Sequence, residues 1–208
     1  MKNYRVGIIG ATGKLGNLLV EKLREKGEIP TAIIRNQSKM TVNIPTIEKD
    51  IFNLTADEVK GFDVLVNTFN APLDDPNQFI TSTEHLIDIL KETGTRLVFA
   101  GGAGVLLVAE NTMLVDTPEI PAAFKPIAEA EVIAFNKLSE AKDFDWTYMA
   151  PPAMMEYEAP HTGTHYFSGN KLGINAEGKS FISYSDYADA IIEKIFEPEN
   201  HAIVGVYA

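Results

Sequence analysis

Three glycines at a strict three-residue spacing, Gly10, Gly13 and Gly16, separate an apolar run from an amphipathic segment. The run Arg5–Ile9 is typical of a buried strand, and the pattern of Lys14–Lys26 is typical of a helix. Between a strand and a helix, the first glycine permits a tight turn and the second lets the backbone approach a pyrophosphate. The third allows the helix to pack closely on the strand. Because a helix N-terminus attracts anions, the spacing predicts a dinucleotide site.

The residue at the end of the second apolar run decides which dinucleotide would fit. A carboxylate there holds the ribose 2'-hydroxyl of NAD, but this chain has Arg35, followed by Asn36, Ser38 and Lys39. A guanidinium can bind a 2'-phosphate with two hydrogen bonds, and Lys14 in the glycine loop adds a second cation. The pattern favours NADP(H) over NAD(H); the alternative is that Arg35 is a solvated charge at a strand end.

His161 and His165 stand four residues apart, a spacing that on a helix would allow both to bind one metal ion. Pro160 and Gly163 instead indicate a loop, and no third ligand lies near them in the sequence, so we expect no metal site. The two histidines are candidates for lining a substrate cleft, with ordinary surface positions as the alternative. Apolar and aromatic residues that could line such a cleft, or belong to the core, are Phe69, Met149, Met154, Met155, Tyr157, Tyr166 and Phe167.

Apolar runs and helical patterns alternate along the chain, which predicts a parallel sheet covered on both faces. Strands are expected at Arg5–Ile9, Thr31–Arg35, Thr46–Asp50, Asp63–Asn67, Arg96–Ala100 and Trp146–Met149. Helices are expected at Lys14–Lys26, at a short segment with a Thr55/Glu58 capping box, at Thr81–Thr93 with a Thr81/Glu84 capping box, and at Pro126–Ala141. In the last third, loops with a short hairpin are expected over His161–Ile182, a helix over Asp186–Phe196 and a strand over Ala202–Tyr207.

These patterns predict one α/β domain over residues 1–208 with a Rossmann-like, doubly wound and mostly parallel sheet. Residues of about 1–150 would form the dinucleotide-binding core, and residues of about 151–208 a small C-terminal appendage on the substrate side of the same sheet.

Composition narrows the classes of partner. The formal net charge of −11 disfavours nucleic acid and anionic membranes, and no apolar run is long enough for a membrane span. There are no cysteines and there is no room for a signal peptide before the first strand, so we expect a cytoplasmic protein. The sequence is compatible with a monomer and with a homodimer.

Several further stretches occur in the order found in one family: GATGKLG, EKDIFN, RLVFAGGAGVLLV, LVDTPEIPAAFKPIAEAE, FDWTYMAPPAMM and GKSFISYSDYADAIIEKI. With them the whole chain resembles the NADH-flavin reductase group of the atypical short-chain dehydrogenase/reductase superfamily. That group is related to the NmrA-like proteins and to flavin/biliverdin-IXβ reductase. The resemblance implies a Rossmann fold, NAD(P)H as cofactor and reduction of FMN, FAD or a similar flat acceptor.

The resemblance and the patterns above together place cofactor contacts after each of the first five strands. The expected contacts are Gly10, Thr12, Gly13, Lys14, Leu15, Gly16, Arg35, Asn36, Ser38, Lys39, Asp50, Ile51, Thr68, Phe69, Asn70, Gly101 and Gly102. Candidate substrate contacts are Phe69, Val105, Met154, His161 and His165.

The proton donors of the superfamily are missing from this chain. The segment from Tyr148 reads YMAPP, without the lysine of a Tyr-x-x-x-Lys pair, and Val105 and Ala153 stand where relatives carry polar residues. The sequence therefore leaves the catalytic residues unknown. Reduction of a ketone needs a positioned acid, whereas a flavin can exchange protons with solvent, so the sequence favours flat conjugated acceptors reduced without a dedicated side-chain acid. The alternative is a non-catalytic, NADP(H)-binding redox sensor of the NmrA-like type.

Overall fold

The computed structural model describes residues 4–208 and is built around an eight-stranded sheet. Strands β1 (Val6–Ile9), β2 (Thr31–Ile34), β3 (Thr46–Glu48), β4 (Val64–Asn67) and β5 (Arg96–Ala100) follow one another along the chain. Short strands β6 (Leu107–Ala109) and β7 (Thr112–Met113) precede β8 (Trp146–Ala150), β9 (Met154–Glu156), β10 (Tyr166–Gly169), β11 (Phe181–Ser183) and β12 (Ala202–Tyr207).

The spatial order of the main sheet is β3-β2-β1-β4-β5-β8-β12-β10. Every neighbouring pair is parallel except β12 and β10, which are antiparallel. The order of the strands reverses between β1 and β4, and ligands of such sheets bind at that point, outside the carboxyl ends of the strands. The predicted Rossmann-like fold is confirmed.

Five helices lie within the described residues: α1 (Lys14–Glu25), α2 (Ala56–Val59), α3 (Asn77–Leu90), α4 (Lys125–Glu140) and α5 (Tyr184–Phe196). One face of the sheet packs against α1 and α5, and the other packs against α3 and α4. Alternate strand residues serve the two faces: Val64 and Val66 belong to the first core, and Leu65 to the second. Within residues 4–208 no helix combines the length and apolarity that crossing a membrane requires.

The segment after β8 differs from the prediction. We expected a local hairpin within His161–Ile182, but β10 pairs with β12 and β11 pairs in parallel with β9. Both partners lie far away in sequence, so local turn residues could not reveal the pairing. The strand β12 and helix α5 match their predicted positions to within about two residues.

Helix ends were predicted with mixed success. The Thr55/Glu58 capping box is confirmed, since the Glu58 carboxylate accepts a hydrogen bond from the Thr55 backbone N–H at 3.0 Å. The Thr81/Glu84 box is wrong: α3 begins four residues earlier, after Pro76, and the Thr81 hydroxyl donates to the Asn77 carbonyl within the helix. A proline without an N–H is suited to a helix start, and Pro76 marks the start of α3.

Candidate functional site

Three cavities follow one another along the carboxyl edge of the sheet. The first cavity, of about 330 Å³, lies between the glycine loop and the residues that follow β2, β3 and β4. The second, of about 400 Å³, shares Gly13, Thr68, Phe69 and Asn70 with the first and extends to Gly101 and Gly102 after β5. The third, of about 360 Å³, lies beyond it between the start of α4 and the Pro151–Pro152 turn.

The glycine loop has the conformation that its spacing predicts. Gly10 has φ +79°, a left-handed conformation that a side chain would strain, and a Cβ on Gly16 would overlap the Gly10 carbonyl. A Cβ on Gly13, in contrast, would meet only the Gly10 carbonyl oxygen, at 3.2 Å, because the residue faces the first two cavities. Gly10 thus serves the turn and Gly16 the packing, and Gly13 keeps space open in front of the helix.

The N-terminus of α1 is prepared for an anion. No side chain caps its first N–H groups and its first turn holds no acidic residue. The free N–H groups and the helix dipole therefore face the cavity as positive partial charges in an acidic protein. Lys14, in the first turn, lies with its ammonium 5.0 Å from the centre of the Tyr157 ring.

Cations concentrate at the far end of the first cavity. Arg35, Lys39 and Lys49 all line it, and Lys49 also pairs with Glu58 at 2.6 Å. The Arg35 side chain is exposed, and within residues 4–208 it forms no ion pair. Asp50 lies at the same end, where its carboxylate caps the turn at Phe52.

The predicted cofactor contacts converge in the structure, with one exception. All of them line the first or the second cavity except Ser38, whose exposed hydroxyl donates to Asn36 at 2.7 Å. Ser38 therefore supports the Asn36 turn rather than the cavity wall. That these residues bind a cofactor stays a prediction, but their convergence is what such a site requires.

Gly101 and Gly102 have a second role that the sequence did not reveal. A Cβ on Gly101 would overlap the Tyr148 ring, and a Cβ on Gly102 would overlap the Glu131 carboxylate. The Tyr148 hydroxyl accepts a hydrogen bond from the Gly102 N–H at 3.0 Å. Burial raises the pKa of Tyr148 far above its ordinary value, so this phenol stays protonated.

Only one of the candidate substrate residues lines these cavities. Phe69 lines both the first and the second cavity. Val105 is only 2% exposed and packs in the core around Tyr148, so it is not a wall residue of these cavities. Met154 is exposed on β9 and points elsewhere, whereas its neighbour Met155 lines the second and third cavities.

The two histidines pair with α5 instead of lining the three cavities. His161 lies 2.6 Å from an Asp189 oxygen, and His165 lies 3.0 Å from a Glu193 oxygen. His161, Asp186 and Asp189 form a cluster with metal-ligand types. The Asp186 carboxylate, however, accepts hydrogen bonds from Ser183, Thr162 and Gly163, and the Lys22 ammonium lies 2.9 Å from Asp189. Neighbouring donors thus already occupy these carboxylates.

Sequence reasoning missed several cavity residues, and Glu131 is the most informative of them. It lines both the second and the third cavity, together with Pro151 and Met155. Burial raises the pKa of its carboxyl group to about 7. The signal was present in the helix pattern, because residue 131 is three positions after the buried Ala128 and three before the buried Ala134. An acid on the buried face of a helix is uncommon and merits a functional explanation.

The comparisons with known proteins agree with this geometry. A family model described as NAD(P)H-binding matches residues 10–198. YwnB of Bacillus subtilis (strain 168), an uncharacterized protein, is 38% identical over 200 residues, which are 94% of each chain. The crystal structure of SP1627 from Streptococcus pneumoniae TIGR4, described as a "putative NADH-flavin reductase", is 31% identical with a TM-score of 0.93, over 98% of this chain and 99% of that one.

A more distant structure shows similarity of fold. ChuY, an anaerobillin reductase from Escherichia coli O157:H7, is 17% identical with a TM-score of 0.75, over 98% of this chain and 96% of that one.

Proposed function

Because the chain belongs to the NAD(P)H-binding family, we propose that it is a reductase that uses NADPH to reduce a flat conjugated acceptor, such as a quinone or a free flavin. When bound, the dinucleotide supplies a hydride from its nicotinamide ring. The protein supplies the binding, the alignment of the two rings and the exclusion of competing reactions.

The residues present fit a dinucleotide. The uncapped N-terminus of α1 and the open space in front of Gly13 suit a pyrophosphate. The basic end of the first cavity suits the adenosine half, and the second cavity, between Phe69 and Gly102, suits the nicotinamide half.

The observation that carries the proposal is the junction of the second and third cavities. They share Glu131, Pro151 and Met155, so a ring in the second cavity and a ligand in the third would be neighbours. The walls of the third cavity are largely apolar and include Ile120, Phe124 and Ile127. Apolar and aromatic walls with an adaptable methionine are suited to a flat ring system.

The helix that carries a Tyr-x-x-x-Lys pair in ordinary relatives has no such pair in this chain. Of its two lysines, Lys137 pairs with Glu84, and Lys125 donates to the Val115 carbonyl, which holds that ammonium in the loop before the helix. A carbonyl substrate that develops an alkoxide would therefore lack the usual tyrosine acid. The support for conjugated acceptors over simple ketones comes mainly from the apolar walls of the third cavity.

Arg35 supports NADPH over NADH. Its guanidinium, together with Lys39, leaves positive charge at the first cavity where a 2'-phosphate would lie. A phosphate accepts charge-assisted hydrogen bonds from guanidinium groups in a geometry that a ribose hydroxyl does not need.

Stopped-flow absorbance tests the proposal. We expect NADPH oxidation after mixing with FMN or with a soluble quinone, at a rate that depends on the acceptor concentration, and none with protein-free controls. NADPH binding measured by calorimetry without oxidation by any acceptor would contradict the reductase proposal. That result would favour the alternative of a non-catalytic redox sensor.

A further inference from the structure

We propose that Glu131 is the catalytic acid of this site, and that its carboxyl group donates a proton to the acceptor where the second and third cavities meet. The inference rests on the proposed reductase function. It replaces the expectation that the reaction proceeds without a side-chain acid.

The first support is the position of Glu131. Helix α4 places it on the same buried face as Ala128 and Ala134. Its carboxyl group lies so close to Gly102 that any side chain at residue 102 would overlap it. Since Gly102 and Glu131 both line the second cavity, and Glu131 also lines the third, the carboxyl group lies in the wall where the two proposed ring sites adjoin.

The second support is that Glu131 has no structural partner. Among residues 4–208 no hydrogen bond or ion pair to its carboxyl group is present. Burial disfavours the charged form of this carboxyl group, and no hydrogen bond or ion pair within the described residues accounts for its place. Carboxyl groups of this kind, perturbed by burial and located in a cleft, are concentrated at functional sites.

The surrounding charges leave Glu131 available as a proton donor. The other titratable groups lining the two cavities are Lys14, Glu119, Tyr184 and Tyr187. The Tyr187 hydroxyl donates to the Met149 carbonyl at 2.8 Å, and burial raises its pKa, so it stays neutral.

Titratable groups on α4 and on the elements packed against it bind partners other than Glu131. Tyr148, on β8, binds the Gly102 N–H. On α4 itself, Lys137 pairs with Glu84 of α3 at 2.7 Å, and Lys125 binds the Val115 carbonyl. With no cation paired to it, burial sets the pKa of Glu131 at about 7, which keeps a large share of the carboxyl groups protonated at neutral pH.

The proposed step balances as a two-electron reduction. The acceptor gains a hydride from NADPH, which becomes NADP⁺, and an oxygen or nitrogen atom of the acceptor takes up a proton. The O–H bond of Glu131 breaks as that proton leaves, and the electron pair stays on the carboxylate. Water entering through the third cavity then returns a proton to Glu131. A donor with a pKa near the working pH is well suited to this role.

The test compares Glu131→Gln with Glu129→Gln, which removes an exposed carboxylate from the same helix. We expect Glu131→Gln to keep its NADPH affinity within about twofold and to lose roughly 10²–10⁴-fold in kcat with a quinone, the range for a lost general acid. In the unmodified protein kcat/KM should fall above a pH of about 7, and in the variant that fall should be absent. Glu131→Asp should recover part of the rate, and Glu129→Gln should match the unmodified protein.

A measurement without cofactor keeps this inference separate from the proposed function. Difference infrared spectroscopy of the cofactor-free protein should show a protonated carboxyl band that disappears with a midpoint pH of about 7, and Glu131→Gln should lack that band. If the unmodified protein oxidises NADPH and Glu131→Gln does so equally fast, Glu131 is not the acid, although the reductase proposal stands. If no acceptor is reduced, the reductase proposal fails and the catalytic role of Glu131 fails with it, even where the band titrates as expected. A midpoint near the ordinary value for glutamate would overturn the assignment of Glu131.

Discussion

The Arg35 guanidinium stands at the end of β2, exposed to solvent and to the first cavity. Because it has no ion-pair partner within the described residues, a 2'-phosphate would not have to compete with a carboxylate for it. A side chain with this freedom can determine cofactor preference without affecting the fold.

Replacing Arg35 by Asp should therefore weaken NADPH binding and leave NADH binding similar or stronger. A charge-assisted hydrogen bond contributes about 1.5–3 kcal/mol, which corresponds to roughly 10- to 150-fold in affinity. Calorimetric titration of both cofactors measures the change. Lys171→Asp, an equal change of charge at an exposed residue outside the three cavities, is the control. Equal affinity of the unmodified protein for NADPH and NADH would contradict the role given to Arg35.

Glu131 should also affect stability as a function of pH. Its pKa is raised from the ordinary 4.5 to about 7 in the folded protein, so the folded state holds a proton that the unfolded state has released between these values. The free energy of unfolding of the unmodified protein, compared with that of Glu131→Gln, should thus be constant below a pH of about 4.5. It should fall as the pH rises and level off above about 7. The full difference is up to about 3 kcal/mol, lessened by the partial exposure of the side chain. Urea unfolding of both proteins across this pH range measures it, and parallel curves would show that Glu131 ionises normally.

At the scale of elements, the glycine loop and α1 form the unit that the sequence predicts best. Its signals are local: a buried strand, glycines at fixed offsets and a helix. Glu131 was missed because its meaning depends on a cavity formed by α4, the β5 loop and the Pro151–Pro152 turn, which are far apart in sequence. The start of α3 was missed because the Thr81/Glu84 spacing outweighed the stronger signal of Pro76.

Gly13→Val should abolish dinucleotide binding and preserve the fold. The existing neighbour of a Cβ there is one carbonyl oxygen at 3.2 Å, so the added side chain would occupy the cavity more than it would disturb the protein. A ligand present at 100 times its dissociation constant adds about 2.7 kcal/mol to the free energy of unfolding. NADPH should thus raise the melting temperature of the unmodified protein but not of Gly13→Val. A similar rise in the variant would contradict the assignment of the loop.

The start of α5 depends on Asp186, which is 1% exposed. Burial opposes ionisation, but hydrogen bonds from Ser183, Gly163 and Thr162 outweigh it and hold the pKa of the carboxyl group below its ordinary 3.8. The stability from this network is therefore present above a pH of about 3.8 and lost as the pH falls through the lower, folded-state pKa.

Asp186→Asn should destabilise the protein by about 2–3 kcal/mol, because the new amide N–H₂ group would face backbone donors. Chemical denaturation measures the loss. Asp189→Asn, at a more exposed pair with Lys22, should lose about 1 kcal/mol or less. Equal losses in the two variants would show that burial of the Asp186 network does not increase its contribution to the free energy of unfolding.

At the scale of the whole molecule, the alternation of strands and helices predicted the Rossmann-like fold, because near-continuous apolar strands must be covered on both faces. The pairing of β10 with β12 was out of reach, since antiparallel pairing across a long connection leaves no periodic trace in either segment. A net charge of −11 would repel an anionic dinucleotide, but the N-terminus of α1 and Arg35 give a positive potential locally at the first cavity.

The place of β12 between β8 and β10 has a consequence for the growing chain during synthesis. All residues that line the three cavities precede β12, yet β8 has an open edge and β10 has no sheet to join until residues 202–207 are present. An unpaired β8 edge is a template for association with other chains. A nascent chain could therefore complete its glycine loop and cavity walls early and still be prone to aggregation until its last strand is inserted.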